Sequence, residues 1–216
     1  VLTFAPVYKE IDFKTDDSEF IRQTIDETDF LLPLLGIIKE VQSIKETVPS
    51  RVFINEKATE ANFKKYASDY NVLHLAMHTM MRDDDPLFSM LAFTNVETAD
   101  TTEDNKLYAY EIYNMKLNAQ MAVLSSCNSG FGKMEKGEGM MSLARGFMYA
   151  GCPSIIMTLW QVADKSSSEM MTSFYKYLKR GKSKQEAMRL SKLDYLETAD
   201  ELTSNPYFWS AFVVLG

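Results

Sequence analysis

Two side chains in this sequence have the type and the placing for covalent chemistry on a carbonyl. Cys127 follows the apolar run Met121-Ala122-Val123-Leu124-Ser125, at the tip of the small-residue stretch Ser126-Cys127-Asn128-Ser129-Gly130. His78 closes a second run, Val72-Leu73-His74-Leu75-Ala76-Met77-His78, and is followed by Thr79. A cysteine attacks a carbonyl as its thiolate, so it needs a base to take the thiol proton, and an imidazole can later hand that proton to the leaving amine. The competing reading of an isolated cysteine is a small buried hydrophobe with no chemical role. His74 lies inside its run and reads as a hydrogen-bonded core histidine that supports the site. Cys152, just before Pro153, reads as inert.

Both reactive residues need strand ends to carry them. Short apolar runs, many with β-branched residues, alternate with longer amphipathic stretches, which is the pattern of a mainly parallel sheet with helices on its faces. Six runs are expected to form core strands: Leu2–Val7, Val52–Ile54, Val72–Ala76, Met121–Ser125, Ser154–Leu159 and Phe212–Leu215. Helical spacing covers Leu31–Thr47, Thr59–Ser68 with Thr59 as N-cap, Met140–Ala150, Ser166–Arg180 and Ser183–Leu196. Gly181 separates the last two, and Ser183-Lys184-Gln185-Glu186 has the spacing of a capping box. Leu91–Tyr108, with Thr, Asn and Asp at its centre, reads as a β-hairpin inserted after the third strand. In open α/β sheets ligands bind beyond the carboxyl ends of the strands, which is where His78 and Cys127 fall.

Composition narrows the class of partner. The 216 residues are 46% hydrophobic and 25% charged, as in an ordinary globular chain, and they are taken as one domain. A net charge of −7 provides no positive field to gather nucleic acid or anionic lipid. No apolar run reaches the roughly 20 residues that span a bilayer, so no membrane partner is expected. Two cysteines make neither a disulfide framework nor a four-ligand zinc site, and a reducing, cytoplasmic compartment fits. No cofactor or metal is called for. The chain opens at Val1 and enters an apolar run at once, which leads to the expectation of a longer protein with domains upstream.

The residues also carry a family resemblance. His78 and Cys127 stand 49 positions apart, close to the roughly 50 by which caspases place histidine before cysteine. Leu124-Ser125-Ser126-Cys127-Asn128-Ser129-Gly130 resembles the nucleophile signature of CHAT domains, relatives of caspases and separases. His74-Leu75-Ala76-Met77-His78 is similar to that family's histidine segment, and Gly137-Glu138-Gly139 to its glycine–acid–glycine stretch. Gly151 to Asp164, containing Thr158-Leu159-Trp160-Gln161-Val162-Ala163-Asp164, and Asn205 to Gly216 resemble its last two motifs. The resemblance runs from about residue 50 to the end. It implies a caspase-like sheet, a Cys127/His78 dyad, hydrolysis of a specific protein or peptide substrate, and control by an upstream domain such as tetratricopeptide repeats. Low basal activity of this domain alone is expected on the same ground.

One residue departs from the family pattern. The histidine is usually followed by Gly, whose backbone N–H joins the cysteine N–H in an oxyanion hole; here Thr79 stands, keeping the donor but restricting φ. A catalytically silent module that binds a partner protein is the alternative this departure keeps open. Asp164 matches an acidic position that in separase-like enzymes pairs with a basic P1 side chain; its other reading is the N-cap of a helix starting near Ser166. Glu138 can contact substrate or complement the positive end of the following helix. Trp160 and Trp209 read as core or pocket-wall residues, and Trp160 joins Asp164 and Glu138 as a candidate substrate contact. Asp83-Asp84-Asp85 reads as a solvated turn, with a divalent ion as the lesser alternative. The fourteen methionines read as adaptable core filler.

Overall fold

The computed structural model describes residues 1–8, 31, 34, 36–96, 103–125, 138–160 and 162–216. In chain order the strands are β1 (Leu2–Ala5), β2 (Arg51–Ile54), β3 (Val72–Leu75), β4 (Thr79–Met80), β5 (Met90–Ala92), β6 (Lys106–Tyr108), β7 (Met121–Leu124), β8 (Ile155–Thr158) and β9 (Phe212–Leu215). The helices are α1 (Ile37–Thr47), α2 (Glu60–Tyr66), α3 (Ala109–Asn114), α4 (Glu138–Tyr149), α5 (Asp164–Lys179) and α6 (Lys184–Thr198). The main sheet has the order β2-β1-β3-β7-β8-β9, parallel except for β9. All six expected core strands are present.

Every residue of β1, β7 and β8 is buried, as a parallel sheet covered on both faces requires. Alternate residues of each strand enter opposite cores. On one face Leu73, Leu75, Ala122 and Leu124 pack with Phe63 of α2, Ile112 of α3 and Leu143 and Phe147 of α4. On the other, Val123 and Ile156 pack with Ile44 of α1, Met170 and Phe174 of α5 and Met188 of α6. Phe4 anchors the first core, stacked on Phe53 at 4.9 Å and edge-on to Phe63 and Phe93. Helices therefore cover the sheet on both sides and leave its strand ends as the place for a site. No helix among the described residues is long and apolar enough to cross a membrane.

Local signals explain the starts of two helices. Thr59 caps α2 by accepting the Asn62 N–H at 3.3 Å, and Ser183 caps α6 by accepting the Glu186 N–H at 3.2 Å. The reciprocal half of the box at α6 is not made, because Arg189 takes both Glu186 carboxylate oxygens at 2.9 Å. The expected hairpin is the antiparallel pair β5–β6, but β4 adds to it, so the insertion is a three-stranded sheet that begins immediately after His78. The centre of that insertion, 97–102, lies outside the described residues, as do 32–33 and 35 of the first expected helix.

Candidate active site

The parallel pairing of β3 with β7 ends the two strands on the same side of the sheet. Their parallel register sets His74 opposite Val123 and Leu75 opposite Leu124. His78 stands three positions beyond Leu75, and Cys127 three positions beyond Leu124, so the two chain segments leave adjacent strands in step. Cys127 itself falls in 126–137, outside the described residues. The root of its segment is fixed: the Ser125 N–H donates to the Leu75 carbonyl at 3.2 Å, and the Ser167 hydroxyl in the first turn of α5 donates to the Ser125 carbonyl at 3.1 Å.

His78 is buried, 6% exposed, between the end of β3 and the start of β4. Its backbone N–H donates to the Tyr8 hydroxyl at 3.0 Å, and its carbonyl accepts the Ala92 N–H at 3.0 Å. The Tyr8 ring meets the imidazole at 61°, with centroids 4.6 Å apart. Thr79 is fully buried as the first residue of β4, opposite Leu91. Among the described non-glycine residues only Asn55 and Asn105 have positive φ. Thr79 is thus an ordinary strand residue, a place that suits a β-branched side chain.

His74 has a different setting. It is fully buried on the face of the sheet covered by α1 and α5, with Nε2 2.8 Å from Glu40 Oε1 and Nδ1 3.2 Å from the Tyr175 hydroxyl. Glu40 is itself 2% exposed. Burial raises the Tyr175 hydroxyl well above the usual phenol range, and the Glu40 charge adds to the shift. Both ring nitrogens of His74 are engaged inside the core, as expected of a hydrogen-bonded core histidine.

The three candidate substrate residues start from different places. Asp164 is the first residue of α5, so this helix begins two residues before the expected Ser166 and has Ala163 at its N-cap, with no side-chain cap. The Asp164 carboxylate instead accepts the Gly36 N–H at 3.2 Å, at the N-terminus of α1. A Cβ on Gly36 would lie 2.5 Å from the Asp164 Cβ, so this close approach requires glycine. Asp164 also lines an open groove of about 660 Å³ between α1, α5 and α6, with Lys39, Lys176 and Asp194 further along it. Trp160 is half-buried just past β8, its indole N–H donating to the Tyr207 carbonyl at 2.9 Å. Glu138 opens α4 on the opposite face, about half exposed and 3.7 Å from Arg145.

The acidic turn has a structural task that its sequence did not announce. Asp84 and Asp85 are exposed, but Asp83 Oδ1 accepts the Gly139 N–H at 3.0 Å and so caps α4, the helix that follows the Cys127 segment. A Cβ on Gly139 would meet Ser89 Oγ at 2.6 Å and the Arg82 nitrogen at 3.0 Å, which accounts for glycine there. The insertion thereby braces the far end of the segment that carries Cys127.

Comparison with known proteins agrees with this architecture. The sequence profile of the CHAT domain matches residues 9–216. This chain belongs to the CHAT domain family. Among curated relatives, mouse tetratricopeptide repeat protein 28 is 27% identical over 114 residues, covering 51% of the chain and 4% of the relative. The human protein of the same name is 20% identical over 213 residues, covering 85% and 8%. The chain therefore spans less than a tenth of the length of these relatives. Two crystal structures of the Saccharomyces cerevisiae separase–securin complex share the fold. One has a TM-score of 0.53 at 17% identity over 84% of the chain, and the other 0.51 at 16% over all of it; each match spans 11% of the yeast chain. The mostly parallel sheet of this CHAT domain is accordingly of the separase, caspase-like kind.

Two further polar sites of the CHAT domain lie away from these strand ends. Cys152 is fully buried, its Sγ 3.5 Å from the Ser154 carbonyl, and burial pushes its thiol up from the ordinary range, which keeps it protonated and inert. Glu60, Glu103 and Glu111 converge as one carboxylate group that could hold a cation, and the Lys64 ammonium stands among them at 2.7, 2.5 and 2.8 Å. Burial pushes the Glu60 carboxyl up to about 8; Lys64 draws it down and Glu103 pushes it up. Sequence reading missed Tyr8 and the Glu40–His74–Tyr175 cluster. Each joins residues 34 to 101 positions apart, and no local spacing announces such contacts.

Proposed function

We propose that this CHAT domain is a cysteine endopeptidase in which Cys127 and His78 hydrolyse a peptide bond of a specific protein substrate. The observation that supports the reading is the β3–β7 register: Leu75 pairs with Leu124, and His78 and Cys127 each follow that pair by three residues in the chain. His78 takes the thiol proton, and the thiolate attacks the scissile carbonyl. The tetrahedral oxyanion is held by the backbone N–H groups of Cys127 and Thr79. As the C–N bond breaks, His78 gives its proton to the leaving amine, leaving a thioester on Cys127. Water, deprotonated by His78, then attacks the thioester, and the thiol and the new carboxylate separate.

Asp164 serves as the acidic partner of a basic P1 side chain. Its support is position: it lies three residues before Ser167, whose hydroxyl holds the root of the Cys127 segment. Trp160, two residues past the end of β8, and Glu138, the first residue of α4, are the other candidate substrate contacts. The relatives are tetratricopeptide repeat proteins by name, and an upstream repeat domain that controls the peptidase agrees with that. A thiol nucleophile suits a reducing, cytoplasmic setting. The test is cleavage of a fluorogenic peptide library and of intact proteins by the chain and by Cys127→Ala. The reading expects all cleavage to vanish in the variant; equal cleavage would reduce the domain to a docking module.

A further inference from the structure

We infer that Tyr8 is a positioning residue for His78, fixing the height and the rotamer of the imidazole that the proposed dyad uses. This rests on the dyad reading but adds a residue outside it, since Tyr8 precedes the residues 9–216 that match the family. The argument begins with the backbone. β3 ends at Leu75, and by His78 the chain is turning into β4. The Tyr8 phenol accepts the His78 N–H at 3.0 Å and donates its own proton to the Ala92 carbonyl at 2.7 Å. Ala92 in turn donates its N–H to the His78 carbonyl at 3.0 Å. His78 is thereby held at both of its backbone groups, by one closed cycle through a side chain 70 positions away.

The same ring also bears on the imidazole, edge-to-face at 4.6 Å, an arrangement that limits the staggered positions open to His78. Tyr8 is anchored in turn. The Val7 N–H donates to the Thr94 hydroxyl at 3.1 Å, and that hydroxyl donates to the Asn55 carbonyl at 2.6 Å. Burial raises the phenol far above its ordinary range, so it keeps its proton and holds rather than transfers.

The experiment reads the Cys127 thiol, by its rate of carboxymethylation with iodoacetamide between pH 5 and 9, followed on the Cys127 peptide by mass spectrometry. The intact chain is compared with Tyr8→Phe, Tyr8→Leu and His78→Ala. The inference expects Tyr8→Phe, which keeps the ring and loses both hydrogen bonds, to slow alkylation at pH 7 about 3-fold to 10-fold. Tyr8→Leu slows it further, and His78→Ala most of all. Should either Tyr8 variant fail to fold, 3-fluorotyrosine at position 8 keeps shape and hydrogen bonds while altering their strength, and it moves the midpoint of the pH–rate curve. A lower melting temperature with an unchanged pH–rate curve would make Tyr8 merely structural and overturn the inference. A rate that His78→Ala leaves unchanged would instead overturn the dyad beneath it, so the two failures are distinct.

Discussion

The chain has two histidines, four positions apart at one strand, and their surroundings differ. His74 sits inside β3 with each ring nitrogen against a buried partner, Glu40 on one side and Tyr175 on the other. His78 sits past the strand end, held through its backbone by Tyr8 and Ala92. The His74 ring ties α1 and α5 to the sheet through both its nitrogens, whereas the His78 backbone is tied at the exit of the strand, where the proposed dyad needs it. Position along the strand, rather than residue type, makes the difference.

The widest separation is expected from removing each ring. His78→Ala should lower peptide cleavage by at least about 100-fold, the low end for loss of a general acid–base group, while the melting temperature changes little. His74→Ala should do the reverse: it leaves Glu40 buried without its partner, costs about 2–4 kcal/mol measured by urea unfolding, and spares kcat in the protein that remains folded. If His74→Ala abolished cleavage in well-folded protein, the assignment of roles to the two histidines would be wrong.

A smaller effect is expected at the brace of the Cys127 segment. Asp83→Ala removes the carboxylate that accepts the Gly139 N–H and should cost about 1 kcal/mol, the usual value of a lost helix cap. Hydrogen exchange should quicken in the first turn of α4 and not in β3. Equal protection of that turn in both proteins would mean the insertion does not hold the site.

The last effect, read as a dependence on pH, concerns the buried carboxylates on the two faces of the sheet. Glu40 is matched by His74, whereas Glu60 has one oxygen bonded to Lys64 and the other buried without a partner. Glu60 holds its proton up to about 8, against an ordinary 4.5. Between those values the native state binds more protons than the unfolded chain, so stability falls as pH rises through that window. Lys64, also raised, acts only above its ordinary range, at pH higher than this window. Glu60→Gln should therefore flatten the dependence of melting temperature on pH between 5 and 8, gaining on the parent chain as pH rises. Parallel curves would remove Glu60 as the source.

Strand positions and their order in the chain were legible because a parallel sheet buried on both faces writes each strand as a short continuous apolar run, as β7 and β8 show. Helix starts were legible where a hydroxyl caps its own helix, at Thr59 and Ser183. They were misplaced where the cap is tertiary. Asp164, read either as the partner of a basic P1 side chain or as the N-cap of a helix near Ser166, is the first residue of α5 and serves the N-terminus of α1, and Asp83 serves a helix that begins 55 positions later. Two-residue β4 is too short to leave a period-2 pattern, so the insertion read as a hairpin. The family resemblance, rather than spacing alone, is what proposes His78 as the partner of Cys127.

The central claim is that Cys127 is a nucleophile activated by His78, and a covalent probe tests it most directly. The chain is treated with a peptide chloromethyl ketone bearing Arg at P1, and the adduct is located by mass spectrometry. The account predicts one adduct, on Cys127, that forms at least about tenfold more slowly in His78→Ala. An adduct on Cys152, or labelling of Cys127 at the same rate in both proteins, would contradict it.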